Sequence, residues 1–191
     1  AGARLRMTET NAAARWPSRW IDTLFPDVAR TAVWLGLAGL LPFYGCVAAA
    51  YLLPHPWNGW GLTLLKPYGA VILSFLGGVH WGLAMAGFGS TRPPGPGHDP
   101  MTDAPDTLTW VRLGWSVMPS IVAWAAFFLT GWQAGFVLLL LAFVAMLYGD
   151  LRAVEAGAAP AWYLSLRRNL TWLVVLALTL AIARPLIPYN Y

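Results

Sequence analysis

The sequence predicts an all-α integral membrane protein, a five-helix transmembrane bundle with its N-terminus inside and its C-terminus outside. Three observations carry that expectation. Of 191 residues, 58% are hydrophobic and only 10% charged, with a mean hydropathy of +0.57, whereas a soluble domain carries about 25% charged residues. The apolar residues gather into runs of about 20, the length that crosses a bilayer as a helix. The basic residues fall mainly in alternate connections between those runs.

The chain divides into an N-terminal tail, residues 1–30, and a membrane domain, residues 31–188. The opening AGARLR precedes Met7 and carries no fold signal. No apolar run occurs before residue 30, so the first span is expected to direct insertion itself. In RWPSRWIDTLFPDVAR, residues 15–30, Trp20, Ile21, Leu24, Phe25 and Val28 keep helical spacing, with Arg15, Arg19, Asp22 and Asp27 between them. That pattern suits the headgroup layer, and Pro17 and Pro26 restrict it to a short or broken helix.

The first span is expected at about 31–53, kinked at Pro42, and the second at about 67–87. The connection 54–65, PHPWNGWGLTLL, reads as a short segment lying in the outer headgroup layer. Residues 88–109 hold five prolines and form a mobile inner loop. The third span, about 111–130, contains Pro119; Gly131 and Trp132 turn the chain into a short fourth span at about 132–149, and the fifth covers about 169–188. All are helical, because open strands cannot cross lipid.

The twelve basic residues are eleven arginines and Lys66. With the N-terminus inside, Arg4, Arg6, Arg15, Arg19, Arg30, Arg92, Arg112, Arg152, Arg167 and Arg168 lie on the inner side, and only Lys66 and Arg184 on the outer. This is the positive-inside pattern. It assigns the pI near 9.6 to the membrane and leaves no nucleic-acid partner to infer. Trp57, Trp60, Trp110, Trp132, Trp162 and Tyr189 sit near the span ends, where aromatic belts form.

The second span organises the rest. Ala70, Ser74, Gly78 and Gly82 recur every four residues with Gly77 beside them, a ridge of small side chains that admits a neighbouring backbone. His80 lies at hydrocarbon depth on the edge of that ridge, next to Trp81. An ionisable group there is a functional candidate by default. It is expected to be neutral or partnered, with a hydroxyl or carbonyl of the first, third or fifth span within about 3.2 Å. The prolines free carbonyls near Ala38 and Trp115 for that purpose. Asp150 closes the fourth span on the inner side, and Arg167 and Arg168 open the fifth, so an inner charge cluster is expected. Arg184 is expected to snorkel outward, and Cys46, the single cysteine, to pack.

No nucleotide-binding loop, nucleophile elbow, zinc helix or CxxC motif is present, so no catalytic residue is assigned and the chain is not expected to be an enzyme. His98 with Asp99, Asp103 and Asp106 lacks fixed spacing on a rigid element, so no metal site is assigned either. No cofactor is expected; the residues that would meet a haem, chlorin or quinone are His80 and Trp81.

Four blocks carry a family resemblance: LGLAGLLPF at 35–43, YGAVILSFLGGVHWG at 68–82, LGWSVMPSIVAW at 113–124, and Asp150 with PAWYLSLRRNLT at 160–171. The chain resembles the transmembrane protein 69-like family, a domain of unknown function of proteobacteria and mitochondria. The resemblance spans about residues 30–185 and marks Pro42, Ser74, Phe75, Gly77, Gly78, His80, Trp81, Pro119, Asp150, Trp162, Tyr163 and Arg167 as characteristic positions. It implies topology and compartment, the bacterial inner membrane, and brings no activity. Three functions follow as expectations. The first is a non-catalytic accessory subunit or assembly factor of an inner-membrane energy-transducing complex, with lipids and other integral membrane proteins as partners. The second is a tetrapyrrole, quinone or lipid binding protein built on His80 and tryptophans. The third is a membrane enzyme using His80 and Asp150 together.

Overall fold

Apolar sequence in lipid can satisfy its backbone hydrogen bonds only within helices or a closed barrel, and the regular structure here is helical throughout the described residues. The computed structural model describes residues 23–25, 27–90, 96–97, 106–129 and 131–186. The helices are α1 (Arg30–Ala38), α2 (Leu41–Leu52), α3 (Asn58–Met85), α4 (Asp106–Ala125), α5 (Trp132–Glu155) and α6 (Ala161–Ala183), followed by a 3-10 turn, Arg184–Leu186. The segments Arg30–Leu52, Asn58–Met85, Gln133–Glu155 and Ala161–Leu186 are long and apolar enough to cross a membrane. At most a third of each such apolar stretch is buried, so most of this apolar surface faces outward. Leu35, Leu41, Val71, Phe75 and Trp124 are among the exposed side chains. A soluble monomer rarely exposes a patch on that scale.

The core lies between α2, α3, α5 and α6 around Phe43, Leu65, Leu73, Phe136, Leu139, Phe143, Met146 and Leu178. Phe43 meets Tyr68 and Phe143 edge to face, at centroid separations of 5.0 and 6.2 Å. Polar contacts tie helix to helix. Tyr44 and Tyr51 of α2 donate to the carbonyls of Leu173 and Leu180 of α6 at 2.9 and 2.8 Å. Tyr68 of α3 donates to Gly39 O at 2.8 Å, a carbonyl in the break between α1 and α2. Such hydroxyl bonds act as glue in an apolar medium.

Several expectations are corrected. The first span is two helices with a turn at Gly39 and Leu40, and Pro42 stands in the first turn of α2, where its missing N–H breaks no helical bond. The segment expected in the headgroup layer is partly helix: residues 58–65 form the first turns of α3, with Asn58, Gly61 and Leu65 buried. α5 runs on to Glu155 and α6 begins at Ala161, so Asp150 and Arg167 lie inside helices and not at their ends. Arg184 does not snorkel; it is buried, donates from Nε to Ala50 O at 2.8 Å and lies over the Tyr51 ring at 5.2 Å. Of the interfacial tail, residues 1–22 and 26 lie outside the described residues, as do His98 and most of the loop 88–109. Phe25, assigned to the headgroup layer, is buried against Val33 and Leu166 of the bundle. Gly131 does turn the chain into α5, at a φ of 129° that a side chain would resist.

The small-residue ridge divides. Ala70 is buried, and Ser74 returns its hydroxyl to Ala70 O at 2.9 Å. Gly77 faces α4, where an added Cβ would strike Ser116 O. Gly78 and Gly82 face outward, with nothing within 4 Å of an added Cβ. A step of one residue turns a helix by 100°, which takes Gly78 off the contact that Gly77 makes. The packing face of α3 therefore includes Gly61, Leu65, Gly69, Leu73, Leu76, Gly77 and Ala84, and the assignment of Gly78 and Gly82 to it is withdrawn. Gly77→Ala is expected to destabilise the protein by about 1–3 kcal/mol through overpacking. Gly78→Ala is expected to leave thermal stability unchanged or slightly raised, because Ala is the better helix former. Melting in detergent compares the two, and equal losses would contradict the assigned contact.

Candidate functional site

Three helices bring one ionisable group each to the same end of the bundle. His80 stands five residues before the end of α3, Asp150 five before the end of α5, and Arg167 six after the start of α6. Asp150 has no solvent exposure, and Arg167 is 6% exposed. Arg167 Nε donates to Asp150 Oδ2 at 2.8 Å, and His80 Nε2 meets Oδ1 at 2.6 Å. An ionised carboxylate accepts only, so the His80 form that bonds one here is the form with a proton on Nε2, donating to Oδ1. Each oxygen of the buried carboxylate thus has a donor from a different helix. Charge-assisted bonds of this length are the strong kind.

This corrects the partner expected for His80, since it is the carboxylate of Asp150 and not a hydroxyl or freed carbonyl. Of the two arginines, Arg167 makes the pair and Arg168 is exposed. Tyr163 is buried alongside. Tyr163, Arg167 and Thr171 recur every four residues on α6, one buried stripe, with the Tyr163 hydroxyl facing Asp150 and Arg167; among the described residues Arg167 Nη2 and Thr171 Oγ1 have no hydrogen-bond partner.

His80 also borders a cavity of about 340 Å³ with Val111, Arg112, Trp115, Tyr148, Gly149, Arg152, Ala153 and Ala158. Nε2 is turned to Asp150, so the other edge of the imidazole forms the cavity wall. Trp115 lies against the backbone of α5 at Gly149, where a Cβ would sit inside the indole. Arg112 donates to Phe88 O, and Arg152 pairs with Glu155 at 3.1 Å while lying 5.8 Å from the Tyr148 ring. The Arg152–Glu155 pair is more than half exposed on both sides, and such pairs contribute about 0–1 kcal/mol. Trp115 also borders a second cavity of about 340 Å³, together with Met118, Pro119, Val122, Leu138, Leu141 and Ala145. The two lie end to end along the α4/α5 contact with Trp115 in the wall of both, and the charged side chains border only the first.

The expected cofactor residues separate here. His80 faces the groove, whereas Trp81 is exposed and takes no part in it. Arg112, Trp115, Tyr148 and Arg152 were not singled out as a set. Their signal is the spacing, since Arg112/Trp115 and Tyr148/Arg152 are each an arginine and an aromatic on one helix face. Among the described residues no group of three or more His, Cys, Asp or Glu side chains could hold a metal.

Fold and site together define a multi-pass helical membrane protein with a buried ion cluster at one end. The chain belongs to the family described as "Protein of unknown function (DUF3429)", which matches residues 28–183. It is 34% identical over 158 residues to transmembrane protein 69 of Xenopus tropicalis, a match covering 80% of this chain and 53% of that protein. The chain therefore spans about half the length of this curated relative. No solved structure matches.

Arg167→Met is expected to lower stability by about 3–5 kcal/mol, because it leaves the buried carboxylate of Asp150 without its cation. The double variant Asp150→Asn/Arg167→Met is expected to recover part of that loss. Additive losses in a thermal double-mutant cycle would show that the two residues are not coupled. Tyr163→Phe is expected to lower stability by about 0.5–1.5 kcal/mol, since its buried hydroxyl faces Asp150 and Arg167; an unchanged melting temperature would show that the hydroxyl makes no bond there.

Proposed function

We propose that this chain is a non-catalytic protein of a bacterial inner membrane that binds a membrane-resident amphiphile between α4 and α5, polar end against His80. The single observation behind this reading is the end-to-end placement of the two cavities on the α4/α5 contact, with Trp115 in the wall of both. A headgroup-sized space bordered by His80, Arg112 and Arg152 lies next to a wholly apolar one, an arrangement that suits a lipid or a quinone. Ligand sites are mostly apolar with a few placed polar groups, and this groove has that composition.

On this reading α4 is a fifth crossing beside the four long apolar segments, which the His80–Asp150 bond between the C-terminal turns of α3 and α5 supports. The positive-inside rule then puts the His80 end, with Arg112, Arg152, Arg167 and Arg168, on the cytoplasmic side. A reporter fused after Tyr191 is expected to behave as periplasmic, and cytoplasmic behaviour would reverse the orientation.

A second reading has its own support. Gly78 and Gly82, four residues apart, leave an open strip on the outward face of α3. Small residues at that spacing admit a partner helix, as an accessory subunit or assembly factor of an energy-transducing complex would require. In that case Gly78→Leu leaves the isolated fold intact and removes co-purifying membrane proteins.

The groove is tested by filling it. Ala145 lines its apolar half and is exposed, so Ala145→Trp is expected to fold normally. Amphiphile recovered by solvent extraction of the purified variant is expected to fall at least tenfold, a change of about 1.4 kcal/mol in binding. Unchanged recovery at unchanged melting temperature would remove the groove as the binding site.

A further inference from the structure

We propose that the amphiphile is an anionic phospholipid, its phosphate held between Arg112 and Arg152 and one acyl chain laid along the α4/α5 groove. The inference rests on the groove reading above and names the head that the groove selects.

The first argument is charge. Among the described residues, the ionisable ones bordering the first cavity are Arg112 from α4, Arg152 from α5 and His80 from α3, with no carboxylate. Two described acids, Asp150 and Glu155, belong to the same end of the bundle. Asp150 is fully buried behind His80 with both oxygens engaged by His80 and Arg167. Glu155 holds Arg152 only in a solvent-exposed pair at 3.1 Å, a contact weak enough for a phosphate to replace. Arg112 uses one nitrogen on Phe88 O and keeps further donors. Two guanidinium groups on facing helices match a phosphate, which accepts from each of them in the forked geometry arginine favours. A neutral head, such as a quinone ring or a sugar, would cover two cations without neutralising them. Desolvation without compensation disfavours that occupant.

The second argument is depth. Along α5 the groove runs from Arg152 to Leu138, fourteen residues, or about 21 Å at 1.5 Å per residue. Half of a hydrocarbon core is about 15 Å. The groove thus spans one leaflet plus its headgroup layer, the reach of a phospholipid anchored at its own phosphate. Trp115 stands at the junction, seated on the bare backbone of Gly149, where an ester region would pass. Tyr148 steadies the Arg152 guanidinium from the same face of α5, at 5.8 Å.

The test uses the full chain, delipidated in detergent and then offered phosphatidylglycerol and phosphatidylcholine of identical chains, with retention read by native mass spectrometry. The expected result is at least a tenfold preference for phosphatidylglycerol. In Arg112→Gln/Arg152→Gln that preference is expected to fall below threefold, with phosphatidylcholine retention unchanged because the groove persists. Arg152→Gln alone, at an exposed position, serves should the double variant fail to fold, and is expected to lose part of the preference. Arg168→Gln, at the same end but outside the cavity, is expected to change nothing. Equal retention of both lipids, still abolished by Ala145→Trp, would overturn the choice of head and leave the groove reading standing. Retention of neither lipid would overturn both. A loss in Arg168→Gln as large as in Arg152→Gln would reduce the preference to diffuse surface charge. Displacement of phosphatidylglycerol by millimolar inorganic phosphate would identify a free-phosphate site and also overturn the proposal.

Discussion

A carboxylate with no solvent exposure, inside a bundle whose outer surface is apolar, sets the terms for this protein. Removing such a charge from water is penalised by several kcal/mol even after relaxation, and the penalty is offset only by good geometry and full hydrogen bonding. Asp150 meets that condition with Arg167 on one oxygen and His80 on the other. The three residues come from three helices, so satisfying the carboxylate fixes how α3, α5 and α6 stand relative to one another at that end. The orientation of His80 follows. With Nε2 committed to Asp150, the ring becomes the partition between a sealed ion cluster and an open groove.

The opposite end is joined by a different device. Arg184 reaches the carbonyl of Ala50 and lies over Tyr51, whose hydroxyl in turn reaches Leu180. Seven residues along α2, Tyr44 makes the equivalent bond to Leu173, seven residues along α6. The repeat of two helical turns means that α2 and α6 run past each other at nearly constant separation. Lipid supplies no hydrophobic force between helices, so these bonds to backbone carbonyls, together with close packing, hold the α2/α6 seam. The two ends are thus held by polar contacts of unlike kind, and the Asp150 end lies against the cavity that His80 borders.

Class and periodicity were legible in the sequence because both are properties of single segments. Apolar runs announce helices of membrane length, and His80, Asp150 and Arg167 stood out one by one as ionisable residues in apolar surroundings. The pairing of Asp150 with an arginine of the next span was legible as an inner charge cluster; that His80 bonds the same carboxylate was raised only as a joint site and not as its partner. Seventy residues separate His80 from Asp150, and whether two helices turn those residues toward each other depends on rotations that only packing settles. The same limit explains the glycine ridge. Spacing showed that Gly78 and Gly82 share a face but not which way it points, and the neighbouring Gly77 was the one that met α4. Arg184 misled for a related reason. A long basic side chain near a helix end snorkels by default, and nothing local shows that a bare carbonyl and a tyrosine ring wait on the adjoining helix. Arg112 and Arg152 were visible as topology signals, which concealed their second role as the charged wall of a cavity.

The groove has a steric cause that links these observations. Ser116 seats its carbonyl against Gly77, so α4 approaches α3 as closely as two backbones allow. Trp115, one residue earlier, is turned 100° away from that contact, which aims its indole at α5. There it lands on Gly149, the one residue that leaves the α5 backbone bare at that level and admits the ring. Contact is therefore tight on the α3 side and propped by an indole on the α5 side. A helix that is drawn close to one neighbour and wedged from another leaves space above and below the wedge, and those spaces are the two cavities that share Trp115. Gly77 and Gly149, each beside the ion cluster in sequence, thus position the groove against His80, and the buried charge of Asp150 keeps His80 there.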